Sequence, residues 1–283
     1  MIMKRLLTCL VALCLGLFLF AQGQVTTRKH RLSDFTDKLT LVVLTGNEFL
    51  TGALRQEIVN NWTTSAFEFC TPDQFEQRKT SDKFYFLIPV EGQFKGEDQP
   101  GLLFLTLVKG GKEASEGIDK MHEVITLPLA SAGGGNVRDL VYLGGIVQAI
   151  QDFTLAAMES ETAAYSMGKW FSGQLGKSLK DKQIYLAKEE LSSSLSAKDL
   201  NKLNAQDNLH LLSADEVDDL YVSRTPDALT GYVVTPLIPE DGAYCYKLVF
   251  EADSHRLCYL ERHKIGPKKG EGFLSDDLKR LSR

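Results

Sequence analysis

Ser65-Ala66-Phe67-Glu68-Phe69-Cys70-Thr71-Pro72-Asp73-Gln74-Phe75 and Asp207-Asn208-Leu209-His210-Leu211-Leu212-Ser213-Ala214-Asp215-Glu216-Val217 follow one pattern about 142 residues apart. In each, a short apolar run enters a Ser/Thr-x-x-Gln/Glu turn. That turn is the capping box, where a hydroxyl and a carboxyl or amide three residues on satisfy backbone N–H groups left free at a helix start. A strand running into a capped helix, found twice, predicts an α/β fold made of two related units.

The neighbouring segments extend the match. Residues 39–44, Leu-Thr-Leu-Val-Val-Leu, form a continuous apolar run of the kind a strand buried on both faces shows. A helix is expected next, with Phe49, Leu50, Leu54, Ile58 and Trp62 at helical spacing. Strands are expected at 84–90, 102–108 and 124–130, giving a mixed sheet with helices packed on it. In the second copy the strands fall at 184–187, 209–212 and 232–235, with a hairpin at 244–250 and 257–261. Ser196 and Ser213 should cap its helices. The third strand breaks the constant offset, slipping to about 147 through a longer loop around Arg224-Thr225-Pro226. Between the copies, Val137, Leu140, Val141, Ile146, Val147, Ile150, Phe153 and Met158 predict one long amphipathic helix, with Gly144-Gly145 as its weak point. A shorter helix should carry Trp170, Phe171, Leu175 and Leu179.

The chain thus divides into a signal peptide (1–23), a first α/β unit (24–130), a helical connector (131–181), a second α/β unit (182–263) and a basic tail (264–283) with a short helix capped by Ser275. The signal rests on Lys4 and Arg5, the apolar run at 6–20, and the small and polar residues Ala21-Gln22-Gly23-Gln24. That run is shorter than the ~20 residues a spanning helix needs. A lipoprotein box at Val11-Ala12-Leu13-Cys14 fits poorly, because Leu13 is bulky and Cys14 sits inside the run. The expectation is export to a periplasmic or extracellular space, with no transmembrane segment in the mature chain.

Apolar residues make up 43% and charged residues 24% of the sequence, ordinary globular values. Without Lys4 and Arg5, 30 basic residues face 37 acidic ones, a net charge near −7. An acidic body without a basic face argues against nucleic acid as a partner. The tail is the local exception and reads as a solvated segment.

Motifs for chemistry are sparse. Gly173-Gln174-Leu175-Gly176-Lys177-Ser178 resembles the end of a phosphate loop, but Phe171 stands where the first glycine belongs and no strand precedes it. Gly133-Gly134-Gly135-Asn136 lies between a strand and a helix, where backbone can approach an anion. Gly46-Asn47 ends the first buried strand, a customary ligand position in open α/β sheets. These six residues are the candidate ligand-binding positions, chosen by location alone. The five histidines lack metal-ligand spacing and read as surface residues. No catalytic residue, metal ligand or cofactor motif is singled out. Asp215-Glu216-Val217-Asp218-Asp219 reads as carboxylates favoured by a helix dipole. Asn61-Trp62-Thr63 matches a glycosylation sequon, yet Trp62 belongs to the apolar stripe. Of the cysteines beyond the signal, Cys245 and Cys258 fall on the two strands of the final hairpin. A disulfide between them and a pair of buried thiols are both open from the sequence.

The expected function is a non-enzymatic exported binding or accessory protein of the cell envelope, acting on an unknown protein or small-molecule partner. The alternatives are a two-lobed solute-binding protein with its ligand between the copies, and a secreted hydrolase whose site assembles only in three dimensions.

Overall fold

The apolar run at 39–44 becomes β1 (Leu39–Val43), a strand flanked on both sides by parallel neighbours. The structure is a computed structural model that describes residues 32–94, 97–133 and 137–282. The expected signal segment lies outside the described residues, as do Gly134, Gly135 and Asn136.

After β1 come α1 (Glu48–Asn61), β2 (Phe67–Cys70), α2 (Pro72–Arg78), β3 (Phe84–Gly92), β4 (Leu102–Lys109) and β5 (His122–Ser131). A 3-10 turn at Val137–Leu140 leads into α3 (Leu143–Glu159), α4 (Glu161–Tyr165) and α5 (Met167–Ser178). The second copy runs β6 (Gln183–Ala187), α6 (Ala197–Asn204), β7 (Leu209–Leu212), α7 (Ala214–Val222), β8 (Ala228–Val234), β9 (Tyr244–Glu251) and β10 (Leu257–Lys264), ending in α8 (Ser275–Leu281).

The duplication is real at the level of topology. The first sheet has the order β2-β1-β3-β4-β5 and the second β7-β6-β8-β9-β10. In each, the first three strands are parallel and the last two antiparallel. Both strand-and-cap stretches fold as expected. Thr71 caps α2 and Ser213 caps α7, each with a complete capping box. The third strand corrects the expected slip. β8 begins at Ala228, and the pairs Leu39↔Phe84 and Gln183↔Ala228 place first and third strands at one shared offset of 144. Gly231 hid this in the sequence, because it interrupts the apolar pattern. It is needed where it stands: a Cβ there would lie 2.4 Å from a Leu186 methyl and 3.1 Å from the Phe273 ring.

The expected long helix is also corrected. The stretch divides into the 3-10 turn and α3, and Gly144-Gly145 lie inside α3 rather than breaking it. They are close-approach positions. A Cβ on Gly144 would sit 2.6 Å from the Glu57 carboxylate, and one on Gly145 2.4 Å from the Tyr221 hydroxyl and 2.9 Å from the Phe250 ring. α3 therefore lies against α1 and β5 of the first copy and reaches β10 of the second, while α5 packs on β10. Residues 173–178, the near phosphate loop, are helical within α5. Ser275 is not a cap. Leu274 is the N-cap residue, its N–H bound by the Asp277 carboxylate at 2.8 Å, and the Ser275 hydroxyl donates to Asp199 instead.

One hydrophobic core runs from Leu32 and Phe35 through the first sheet and α3 into Tyr232, Val234, Tyr246, Leu248 and Phe250 of the second sheet. Alternation along β9 sends Tyr246, Leu248 and Phe250 into this shared core. Val249 faces the other way, into a smaller cluster with Ile184, Leu186, Tyr259, Phe273, Leu278 and Leu281. The tail is thus a docked element, not a solvated one. Among the described residues one helical stretch, Arg138–Glu159, is apolar and long enough to cross a membrane, and 67% of it is buried inside the protein.

The candidate disulfide does not form. β9 and β10 pair with Cys245 opposite His263, while Cys258 sits in an irregularity between Leu257 and Tyr259. Cys70, Cys245 and Cys258 are buried free thiols. Burial pushes Cys245 up to about 11 and Cys258 up to about 12, so neither is a ready nucleophile.

Candidate functional site

In an open sheet of order 2-1-3, ligands gather outside the carboxyl ends of the strands, where the order reverses. In this protein the carboxyl edges of the two sheets are turned toward each other. The Ser131 hydroxyl, at the end of β5, donates to the Thr235 carbonyl beyond β8 at 2.5 Å. The Tyr232 hydroxyl donates to the Leu129 carbonyl at 2.9 Å. Gly101 lets the Pro236 ring approach so closely that a Cβ would meet it at 2.8 Å. Aromatic pairs line the junction, Phe94 with Tyr244 at 4.5 Å and Phe104 with Tyr246 at 5.8 Å between centroids. The second copy thus covers the β4–β5 side of the first sheet's carboxyl edge.

The densest chemistry lies at the switch point of the second copy. A 3-10 turn, Lys188–Glu190, follows β6 and carries Glu190 to the position that Gly46 holds in the first copy, 144 residues earlier. Arg138, from the turn after the Gly133 loop, reaches into this place. Its Nη1 donates to Glu190 Oε1 at 2.8 Å, its Nε to Asp218 Oδ2 at 2.7 Å and its Nη2 to Asp218 Oδ1 at 3.2 Å. The Tyr142 hydroxyl completes Asp218 with a bond of 3.0 Å. Below the cation the rings are layered. Tyr142 stacks on Tyr232 at 4.4 Å and lies against Tyr221 and Phe250, and Tyr221 stacks on the His255 imidazole at 4.0 Å. The guanidinium sits 5.7 Å above the Tyr232 ring, within cation–π range.

One cation between two buried carboxylates leaves an uncompensated negative charge when both are ionised. Burial pushes Glu190 up to about 7, with Arg138 pulling the other way. Asp218 is raised too, by burial first, again opposed by Arg138. Glu190 Oε2 is buried near the Val233 N–H without a well-formed bond to it. The difference between the acids is geometric, since Asp218 receives two guanidinium bonds and a phenol while Glu190 receives one.

A raised carboxyl could serve as a proton donor, but a general acid must reach its substrate. Glu190 is only 9% exposed and Arg138 covers it. The guanidinium also occupies the space in which a metal ion would bridge the two acids. Among the described residues no three of His, Cys, Asp and Glu gather as metal ligands. The cluster is built as a latch that holds the connector to the second copy.

The positions chosen by location fare differently. Gly46 and Asn47 are exposed, and a Cβ on Gly46 would meet nothing within 4 Å. Asn47 Oδ1 caps α1 by accepting the Leu50 N–H at 3.1 Å, the Asn47 N–H donates to Thr45 Oγ1, and the Thr51 hydroxyl donates to the Thr45 carbonyl. This turn satisfies itself and presents no convergent side chains. Gly133, at φ 67°, leaves the same edge of the sheet. β3 and β4 stand between it and Gly46, a separation of roughly 14 Å across three strand spacings. These three residues share an edge and do not form one site; Gly134, Gly135 and Asn136 lie outside the described residues.

Sequence reasoning missed Arg138, Glu190, Asp218, Tyr142 and Tyr232. A signal existed for one of them. Val217, Asp218 and Tyr221 are the buried residues of α7, so Asp218 belongs to an apolar face rather than to the dipole-favoured first turn. The histidines are not all superficial either, since His263 is buried between β9 and the tail. Compared with protein-family models, curated proteins and solved structures, the chain matches none.

Proposed function

We propose that the protein is an exported, non-enzymatic binding or accessory component of the cell envelope that works through a protein partner. The observation that carries this reading is the filling of the second copy's switch point by Arg138, together with the cover that the second copy lays over the β4–β5 side of the first sheet's carboxyl edge. Large apolar side chains stand exposed at the strand ends. Leu237 is 73% and Ile238 80% exposed in the loop after β8, and Phe49 is 81% exposed beyond the carboxyl end of β1. Bulky aliphatic and aromatic groups held in water at strand ends suit contact with another protein surface better than turnover of a small molecule.

The test places a photo-crosslinking amino acid at Ile238, and at Lys112 as a control, in cells that make the chain. The expected result is one discrete adduct from Ile238, lost when Leu237 is changed to Ser and absent from Lys112. The reading falls if the purified protein hydrolyses an ester, peptide or glycoside in a manner abolished by E190Q. It falls equally if a small solute binds and protects the turn at Gly46-Asn47 from hydrogen exchange.

A further inference from the structure

The tail after β10 folds back as a strap over the second copy. Ile265 exchanges backbone bonds with Gly242 and Ala243, and the chain turns at Gly266–Lys269. Gly272 crosses at φ 93°, its N–H on the Cys245 sulfur at 3.2 Å, in a space where a Cβ would be 2.3 Å from the Glu190 carbonyl. Phe273 then adds a one-residue parallel bridge to Leu191, and α8 closes the smaller core with Leu278 and Leu281.

The strap is fastened by charge under its surface. Lys247 is 2% exposed, and its Nζ lies 3.1 Å from Asp277 Oδ2 and 2.9 Å from His263 Nδ1. Asp277 also takes the Tyr259 hydroxyl at 2.6 Å and the Leu274 N–H at 2.8 Å. His263 Nε2 lies 2.8 Å from the Gly270 carbonyl. A carbonyl only accepts, so the His263 proton is on Nε2. An ammonium only donates, so Nδ1 is a bare acceptor. The ring must be neutral for both bonds to exist. A second proton on Nδ1 would point an N–H at a buried cation and remove the acceptor that cation uses.

We infer that the C-terminal strap, residues 265–282, is a proton-released clasp that stays docked while His263 is neutral and lets go when His263 becomes an imidazolium. The groups around the ring favour this sign. Lys247 and Cys245 face it from β9, Tyr259 and Glu261 flank it on β10, Lys269 and Glu271 lie on the strap, and Asp277 and Arg280 lie on α8. Of these anions Asp277 is the one whose charge acts on the ring, and it is already committed to Lys247, Tyr259 and Leu274. Burial and then Lys247 hold the imidazole below its ordinary range. Docking is therefore complete above the free-histidine value near ~6.5 and weakens as the pH falls below it. Release would uncover Cys245 and the sheet face under Phe273, Leu278 and Leu281.

Cys245 reports on the clasp, because the Gly272 N–H covers its sulfur. The whole protein is exposed to 4,4′-dithiodipyridine, which stays reactive in mild acid, at pH 7.5 and pH 5. Labelling is mapped by peptide mass spectrometry, with Cys70 of the first copy as internal reference. The expected result is that Cys245 labelling, relative to Cys70, rises about tenfold or more at pH 5. H263Q, whose amide can accept from Lys247 and donate to Gly270 at every pH, should remove the rise. A Cys245 to Cys70 ratio that does not change with pH overturns the inference, as does opening of both thiols together or a pH response that survives in H263Q. The wild-type ratio decides the matter even if the variant does not fold.

Discussion

Arg138 has partners 52 and 80 positions away, and no local pattern announces either of them. A buried ion pair is specified by what the fold brings together, so the cluster was legible only where one element already carried an anomaly, as Asp218 does on α7. Its energetics have a definite sign. Burial holds Glu190 up to about 7, against about 4.5 in an open chain. Between those values the folded protein binds a proton that the unfolded chain does not, so its contribution to stability falls as pH rises from about 4.5 to about 7. His263, lowered by burial and Lys247, acts in the opposite direction. Comparison with E190Q separates the two. Urea unfolding at pH 5 and pH 7.5 should show the wild type losing on the order of 2 kcal/mol relative to E190Q. Parallel behaviour of the two proteins would mean that Glu190 is already ionised at pH 5.

At the scale of elements, what was legible was local. The capping boxes at Thr71 and Ser213 formed as expected because every partner lies within three residues. The start of β8 and the boundaries of α3 were missed because glycines there answer to distant neighbours. Gly231 makes room for Leu186 and Phe273, and Gly145 for Tyr221 and Phe250. Two glycines in helices should therefore respond oppositely. Gly145→Ala meets the Tyr221 hydroxyl and the Phe250 ring and should cost about 1–3 kcal/mol by overpacking. Gly173→Ala in α5 meets nothing within 4 Å and should stabilise by up to ~1 kcal/mol through helix propensity. Denaturation midpoints of the two variants against the wild type check both. A destabilised Gly173→Ala would count against residues 173–178 being helical.

For the whole molecule, the two related units were readable from their repeated strand-and-cap pattern, but their packing against each other was not. The aromatic residues of the junction, Phe94, Phe104, Tyr244 and Tyr246, look like ordinary strand residues until the sheets are placed edge to edge. Their shared core, continuous from Leu32 to Leu260, makes the copies one cooperative body. Thermal unfolding followed by tryptophan fluorescence, which reports on Trp62 in the first copy and Trp170 on α5, should coincide with the loss of far-ultraviolet circular dichroism in a single transition. Two separated transitions would show that the copies are stable apart.

The bond from Ser131 to Thr235 spans 104 positions, and that number can be read as time. A ribosome builds the chain from its amino end, so the first sheet can complete its own hydrogen bonds while the residues that will cover its aromatic edge have not been made. For roughly a hundred residues of synthesis, at about 5–20 residues per second, Phe94 and Phe104 have no Tyr244 or Tyr246 to meet. The protein's most vulnerable moment thus comes before its unfolding is ever at issue, in the several seconds when half of a matched pair is waiting for the other half.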